Sequence, residues 1–551
     1  MQVAQKRMAK KTNKLAVNLL LGGLLFRSFI AYWLYPSFDE AYYYMYSLHL
    51  DWSYFDHPLL VAFSTGLGPW LTGNVSQFTI RLGALILHTG SLVLLYLTSA
   101  RLFSVKAATL TLAIATVTPI YQLAFGTFAL PDNPLMFFWS ASLYCAVCEF
   151  FKEDFDFPPS KYVPSYRLTI LSVLVGLACL SKYHGFILGF GLVGFCLTSQ
   201  QHRRVFSSVW TWLGVGLFLL TISPILYWNI QHDWVSFLFQ SERAVPRAGY
   251  NFLNVLLVCL VGIGYLFPTI GFPLWRITLK TTLNQISQVF SKKSIDADCK
   301  EFKEFKDQKN IFILWLSLPL ILGFNLIGGY RQILPAWSMP GFWGATLLLG
   351  QQAVIWYNRS KRSVWRWLTG TGVIVSTILL FLLLHITTGT LQKPSNFAIF
   401  GGFVAPQNDP SSTELIDIQQ VRSGFAESEV LREALKTSNF IFTNRYYYGG
   451  LIAMALHPIS NIPITCFDIG YDIRGFAFWS KPDEWLGKDA LYITTEAFIT
   501  RKDLMTSYKS HFNSFNEIAK VPIKRGGVVV NNIHVYQAKT LLKPYPRAYG
   551  I

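Results

Sequence analysis

Residues 37–50, SFDEAYYYMYSLHL, place two adjacent carboxylates, Asp39 and Glu40, directly after an apolar run and ahead of four tyrosines. On a helix, residues three and four positions apart share a face. The residues on the face of Asp39 would be Tyr42, Tyr43, Tyr46 and Leu50. The stretch therefore predicts an amphipathic helix that lies flat at a membrane surface and presents Asp39 beside rings that can stack on a sugar. The alternative interpretation is an aromatic belt with ordinary loop acids.

The composition indicates a membrane protein. Of 551 residues, 52% are hydrophobic and 14% are charged, whereas a soluble protein contains about 25% charged residues. Apolar runs of bilayer-spanning length, about 17–25 residues, recur through the first 390 positions. We expect a polytopic α-helical protein with 11 to 13 spans, with runs near 15–35, 79–103, 106–126, 134–151, 168–181, 185–199, 206–229, 250–274, 310–328, 336–357 and 367–388.

The distribution of Lys and Arg predicts the orientation of these spans. If the N-terminus is cytoplasmic, the segments on its side contain 24 basic residues and the opposite loops contain 4, as the positive-inside rule requires. This bias also explains the net charge of +17. Because the excess is spread over six segments, it does not indicate a nucleic-acid partner. We expect a multi-pass protein of the inner (plasma) membrane with a cytoplasmic N-terminus.

The composition changes near residue 390. Residues 391–414 are rich in Pro, Gly, Ser and Asn, which is typical of a linker. Short β-rich runs (NFIFTN, IPITCF, ALYITT, GGVVVNN and IHVYQA) and helical stretches such as 426–437 follow. We predict a multi-spanning domain over 1–389 and a soluble α/β domain over 390–551. An odd number of spans places the second domain on the periplasmic or extracellular side.

The predicted outer loops gather acids and cations on one side of the membrane. The first, 36–78, contains carboxylates but neither Lys nor Arg, and Asp132 is the one charge of the second. Lys182, Arg243 and Arg331 follow in the later loops. Ionisable groups at membrane depth are candidate functional residues, although Lys182 could also snorkel to the surface. Their shared side favours a single site.

Acids and cations together suit group transfer from a phosphate-anchored donor. A carboxylate can take the proton of an attacking hydroxyl, while Lys and Arg stabilise the charge left on the phosphate. A transporter or flippase of a lipid-linked sugar is the alternative, but such proteins often contain broken helices in paired halves, and the sequence shows no internal repeat. A non-catalytic scaffold is a third interpretation.

Several motifs resemble those of bacterial family 39 glycosyltransferases, which belong to the GT-C superfamily with the protein O-mannosyltransferases and the lipid A aminoarabinose transferase. The motifs are FDEAYYY (38–44), YFDHPLL (54–60), LPDNPLMFFW (130–139), GLACLSKYHGF (176–186) and YWNIQHDWVSFLFQ (227–240). A looser similarity extends to NRYYYGGLIAMAL, YDIRGFAFW and GKDALYIT in the C-terminal part. The resemblance implies transfer of a monosaccharide, with inversion, from a polyprenyl-phosphate-linked donor to a lipid, glycan or protein acceptor on the outer face.

The resemblance also implies roles for individual residues. Asp39 is the candidate general base, Glu40 its companion, and Asp132 an acid that binds the acceptor or tunes Asp39. The residues expected to bind substrate are Asp56, His57, Tyr43 and Lys182, with Lys182 at the donor phosphate. Arg243 and Arg331 are added only because they are positively charged and lie in predicted loops on the same side of the membrane. Some GT-C enzymes use a divalent cation and others do not, and two adjacent carboxylates are too few ligands to decide. We therefore assign neither metal nor cofactor.

Overall fold

The computed structural model describes residues 2–151, 162–244, 249–290, 297–467, 470, 472–546 and 548–550. A bundle of helices extends to Thr388, and a mixed α/β region follows it. The protein is thus a helical membrane protein with a C-terminal α/β region, as the sequence predicts. The predicted cytoplasmic loops 152–167 and 275–309 lie partly outside the described residues.

Within the described residues, the bundle contains sixteen helices. They are α1 (Gln2–Trp33), α2 (Phe38–Leu48), α3 (Leu60–Thr72), α4 (Leu82–Leu102), α5 (Val105–Val117), α6 (Pro119–Leu123), α7 (Asp132–Phe150), α8 (Arg167–Ser181), α9 (Gly185–Thr198), α10 (Val209–Gln231), α11 (Val235–Ala244), α12 (Phe252–Leu266), α13 (Pro268–Phe290), α14 (Ala297–Ile327), α15 (Met339–Arg359) and α16 (Lys361–Thr388). Each run predicted to span is helical. Two of them, 106–126 and 250–274, are divided where Pro119 and Pro268 begin new helices, because proline lacks the amide hydrogen that would continue the old one.

Among the described helices, five are long and apolar enough to cross a bilayer. These segments are Lys14–Trp33, Thr79–Leu102, Val209–Gln231, Asp307–Ile327 and Lys361–Thr388. Other apolar helices are shorter, such as α8 with 15 residues and α9 with 14. At a rise of about 1.5 Å per residue, neither extends across the hydrocarbon layer of about 30 Å alone.

The C-terminal region is built on one five-stranded sheet. Its strands are β1 (Phe440–Thr443), β2 (Ile464–Cys466), β3 (Ala490–Thr495), β4 (Phe512–Arg525) and β5 (Val528–Leu541), in the order β2-β1-β3-β5-β4. Strand β1 is parallel to β2 and β3, and β5 is antiparallel to β3 and β4. The helices are α17 (Pro410–Thr413), α18 (Ile418–Glu427), α19 (Glu429–Thr437), α20 (Tyr446–Leu456), α21 (Phe476–Trp479), α22 (Glu496–Ile499) and α23 (Lys502–Lys509).

Helix α2 forms where the sequence predicts it, but most of its side chains are buried by protein. Ser37 caps its N-terminus through a capping box with Glu40, and eight of its eleven residues are buried. It packs between α3 and α20 of the C-terminal region. Gly450 of α20 permits this approach, since a Cβ there would lie 2.5 Å from the backbone of Ala41. The expectation of a helix with one face open to headgroups was wrong, because the C-terminal region covers that face.

Candidate active site

Glu40 is enclosed by hydrogen-bond donors. Arg81 approaches both of its oxygens, with Nε 2.7 Å from Oε1 and Nη2 2.7 Å from Oε2, and neither side chain is exposed. The backbone amides of Ser37 and Ala129 donate at 3.0 and 2.9 Å. Burial alone would raise the pKa of Glu40, but the charge and hydrogen bonds of Arg81 and the two amides hold it below its usual value. Glu40 therefore ties α2 to the start of α4 and to the loop before α7.

Asp39, the neighbouring carboxylate, faces a different environment. Its side chain is exposed to a gap between α2 and α20, where it accepts one long hydrogen bond of 3.5 Å from the hydroxyl of Tyr446. Because protein surrounds this gap, desolvation raises the pKa of Asp39. The charge of Arg474 opposes this effect, and the charge of Asp56 adds to it. A raised pKa makes the ionised carboxylate a stronger base.

Asp56 lies beside this gap and is buried. Its Oδ1 accepts hydrogen bonds from the hydroxyls of Tyr42, at 3.1 Å, and Tyr46. Its Oδ2 accepts a charged hydrogen bond of 2.8 Å from Nη1 of Arg474, which lies in the loop before α21. Two tyrosines that were expected to stack on a sugar thus bind a carboxylate instead.

Arg474 is the cation that the C-terminal region contributes. It stacks over the ring of Tyr446, 3.8 Å from the centroid, and its Nε lies 3.0 Å from Asp472. Sequence reasoning did not select Arg474 as a site residue, although it lies in the quoted motif YDIRGFAFW. The first outer loop contains no cation of its own, but Arg81 and Arg474 supply counter-charges from other parts of the chain.

Asp132 and Lys182 form a bidentate ion pair. Nζ of Lys182 lies 2.9 Å from each carboxylate oxygen, and both residues are buried. Asp132 begins α7, and Lys182 immediately follows α8. An ammonium group has three donors, so this pair leaves one N–H of Lys182 for another acceptor.

Lys182 also lines a cavity of about 230 Å³. The lining residues are His57, Lys182, Tyr183, His184, Ile187, Gln240, Arg243, Phe324, Ile327 and Trp337. The side chains therefore include two cations, two imidazoles and several apolar groups. The guanidinium of Arg243 lies over the ring of Phe239, 4.0 Å from its centroid. The ring of Tyr43 meets that of His57 edge-on, with centroids 5.6 Å apart.

The two imidazoles of this cavity have unsatisfied nitrogen atoms. Nδ1 of His57 and Nε2 of His184 are buried and have no hydrogen-bond partner among the described residues. Burial and the charge of Lys182 hold the pKa of both rings well below its usual value. Neutral imidazoles can bind an anionic ligand by donating hydrogen bonds. Sequence reasoning selected His57 but not His184, two residues beyond Lys182.

Arg331 lies outside the described wall of this cavity. Its Nη1 donates a hydrogen bond of 2.7 Å to the carbonyl of Glu242 in α11, so it supports the helix that carries Arg243. Asp39 and Glu40 diverge toward different partners and do not form a shared set of metal ligands. Across the described residues, no three His, Cys, Asp or Glu side chains gather in a metal-binding group.

Comparison with known proteins identifies the fold and shows which family part of the chain resembles. Residues 56–228 match the family described as dolichyl-phosphate-mannose-protein mannosyltransferase. The chain is 23% identical over 313 residues to the lipid A galacturonosyltransferase RgtD of Rhizobium johnstonii, across 56% of this chain and 59% of that protein. Crystal structures of ArnT from Cupriavidus metallidurans, with undecaprenyl phosphate and in the apo state, match with a TM-score of 0.57 at 13% and 14% identity, across 94% of this chain and 97% of theirs. The predicted resemblance is confirmed: the chain has the ArnT fold, and its residues 56–228 match the dolichyl-phosphate-mannose-protein mannosyltransferase family.

Proposed function

We propose that the protein is a membrane glycosyltransferase that moves a monosaccharide from a polyprenyl-phosphate-linked donor to a lipid or glycan acceptor. One observation carries this proposal. An open carboxylate, Asp39, lies within the electrostatic influence of Asp56. His57, which follows Asp56 in the chain, lines the cavity that contains Lys182 and Arg243. The name of RgtD, a lipid A galacturonosyltransferase, and the undecaprenyl phosphate bound to ArnT support the choice of acceptor and donor.

The cavity suits the phosphate end of the donor. The free N–H of Lys182 and the guanidinium of Arg243 can bind phosphate oxygens. His57 and His184 can donate further hydrogen bonds without adding charge. The apolar side chains in the lining, Phe324, Ile327 and Trp337, suit the first part of an isoprenoid chain.

In the proposed reaction, an acceptor hydroxyl attacks the anomeric carbon of the sugar as Asp39 takes the hydroxyl proton. The new glycosidic bond forms as the bond from the anomeric carbon to the phosphate oxygen breaks. The electron pair of that bond leaves with the polyprenyl phosphate, whose added charge Lys182 and Arg243 stabilise. A single displacement of this kind inverts the anomeric configuration. Asp56, held by Arg474, is assigned to positioning and to tuning Asp39.

The proposal includes a membrane arrangement. Helix α2 packs against α20, and Asp56 pairs with Arg474, so the first loop and the C-terminal region share one side of the membrane. The bias of 24 basic residues against 4 favours the outer side for both. We therefore propose a cytoplasmic N-terminus and a multi-spanning membrane domain over 1–389 with an outer domain over 390–551.

The direct test is sugar transfer by the purified full-length protein in lipid. Labelled polyprenyl-phosphate sugars and nucleotide sugars are offered separately, with an extract of bacterial envelope as acceptor. We expect incorporation from a polyprenyl-phosphate donor alone. Transfer should fall by about 100-fold or more in Asp39→Asn and persist in Asp483→Asn, which changes an exposed acid of the C-terminal region. If no donor is consumed while labelled lipid-linked sugar crosses the bilayer, the protein is a transporter instead.

The role of Lys182 is tested by removing the charges of Asp132 and Lys182 while keeping polar side chains at both positions. In the double variant Asp132→Asn with Lys182→Gln, the two side chains can still hydrogen-bond, but the cation is lost. We expect KM for the donor to rise by more than KM for the acceptor. Asp132→Asn alone, which keeps the cation, is the control. An equal rise in both KM values would show that the pair supports the fold and does not bind the donor phosphate.

A further inference from the structure

A short loop after the last helix of the bundle exposes an unusual number of apolar side chains. In residues 397–403, which we call the apolar loop, Phe397 is 63% exposed, Ile399 39%, Phe400 91% and Phe403 68%. Elsewhere in the described part of the chain beyond Thr388, large exposed apolar residues occur one at a time. Single residues of this kind are ordinary on protein surfaces, but a contiguous patch marks a binding surface.

Backbone hydrogen bonds hold the apolar loop in place. The amide of Ile399 donates to the carbonyl of Thr390 at 2.9 Å, and the amide of Phe403 donates to that of Leu391 at 2.8 Å. Gly402 has a φ of +77°, and a Cβ there would lie 2.2 Å from a backbone carbonyl oxygen, so the turn requires glycine. The apolar side chains are therefore presented by a fixed turn.

The same hydrogen bonds place the apolar loop beside the end of a membrane span. Helix α16, Lys361–Thr388, is long and apolar enough to cross a bilayer. The carbonyls that bind the loop belong to the second and third residues after it. Leu382 and Leu384, in the last two turns of α16, are 45% and 46% exposed, so an apolar surface extends along the span close to the loop. Lys393 is exposed nearby and suits an anionic headgroup.

We infer that the apolar loop inserts into the outer face of the lipid bilayer, among the headgroups and the first acyl carbons. The occupant of this surface is membrane lipid, because the loop continues the surface of a span. The inserted loop also anchors the sheet. Nε of Arg525, at the end of β4, donates to Oε1 of Gln392 at 2.8 Å. Membrane contact at this loop thus helps to hold the region that contributes Arg474 above Asp56.

The test measures the depth of a nitroxide spin label on the full-length protein in lipid nanodiscs. Phe400→Cys places the label on the apolar loop, and Val430→Cys places it on α19, where Val430 is 55% exposed. The described native cysteines are buried or half-buried, and unmodified protein treated in parallel gives their background labelling. We expect collisions with oxygen to exceed those with a water-soluble nickel complex at Phe400→Cys, and the reverse at Val430→Cys.

Phe403→Cys provides a second site, so that poor folding of one variant does not decide the result. If the nickel complex reaches the loop labels as freely as the label at Val430→Cys, the loop lies in water and the inference is wrong. Exclusion of both oxygen and nickel from the loop labels would indicate a covering protein and would also overturn it.

Discussion

Asp39 and Glu40 are neighbours in the sequence but project into two different regions of the molecule. On the side of α2 that faces the helical bundle, Glu40 meets a buried guanidinium and two backbone amides. On the side of the C-terminal region, Asp39 meets a gap with one hydroxyl at 3.5 Å. Five donor contacts, including one from the hydroxyl of Ser37, satisfy the first carboxylate, whereas the second is left with capacity to accept a proton.

The comparison shows that two carboxylates on one helix can serve different purposes, one in the folded structure and one in the reaction. Protein surrounds both acids, so desolvation raises the pKa of each. At Glu40 the paired Arg81 outweighs desolvation, while at Asp39 the more distant Arg474 does not. A carboxylate that is fully paired is poorly suited to take a proton, so the difference assigns general-base chemistry to Asp39 and anchoring to Glu40.

The largest expected effect follows from Asp39→Asn. An amide cannot take the acceptor proton, so turnover should fall by about 100- to 10,000-fold, the usual contribution of a general base. The unfolding temperature should change little, because Asp39 makes one long hydrogen bond in the described structure. Transfer kinetics and thermal unfolding of the same preparation check both parts. Turnover at the level of Asp483→Asn would remove the general-base assignment.

Glu40→Gln should reverse this pattern by reducing stability more than chemistry. It leaves the buried charge of Arg81 uncompensated, at a cost of about 3–5 kcal/mol of folding free energy. Since the folded-state pKa of Glu40 is lowered, its contribution is present at neutral pH and is lost as pH falls through that pKa. Unfolding in detergent at several pH values measures the difference, which should shrink in acid.

The double variant Glu40→Gln with Arg81→Gln is the matched control, and it should recover part of the lost stability. If Glu40→Gln unfolds like the unmodified protein but loses transfer, the two carboxylates share the chemistry and the contrast between them fails.

Much of the fold could be predicted from local sequence patterns. The bilayer requires long apolar runs, and the predicted runs are helical. In the sheet, β1, β2 and β3 coincide with predicted runs, while GGVVVNN and IHVYQA join into the single strand β5. Strand β4 was missed because its sequence, FNSFNEIAKVPIKR, is largely polar on its exposed face. Strand β4 lies at the edge of the sheet, and its buried residues are interspersed with exposed, mostly polar ones. Its apolar residues therefore do not form a continuous run in the sequence.

The partners of the acids could not be predicted in the same way. Arg81 is 41 residues from Glu40, and Arg474 is 418 residues from Asp56. Such contacts are determined by how the two regions pack, which no local pattern encodes. The motifs identified Asp39 as a candidate. The lack of cations in its loop suggested that the acids there have no counter-charge, but in the folded chain Arg81 and Arg474 supply it.

Arg474→Gln should shift the pH dependence of transfer. The charge of Arg474 lowers the pKa of Asp39, so its removal should raise that pKa further. The unpaired charge of Asp56 would act in the same direction. The acid limb of the kcat/KM profile should move to higher pH, with activity recovered in alkali. Arg474→Lys keeps a charge and should shift the limb less, whereas equal loss at every pH would indicate a purely structural role.

Tyr446→Phe should give the smallest effect, in the same direction. Its hydroxyl lowers the pKa of Asp39 through a hydrogen bond of 3.5 Å, a length at which such bonds are weak. The ring remains, so the stacking of Arg474 over it at 3.8 Å is kept. We expect a shift of the acid limb smaller than that of Arg474→Gln. A larger shift would make the hydroxyl the dominant influence on Asp39, and a shift to lower pH would mean that another group is the titrating base.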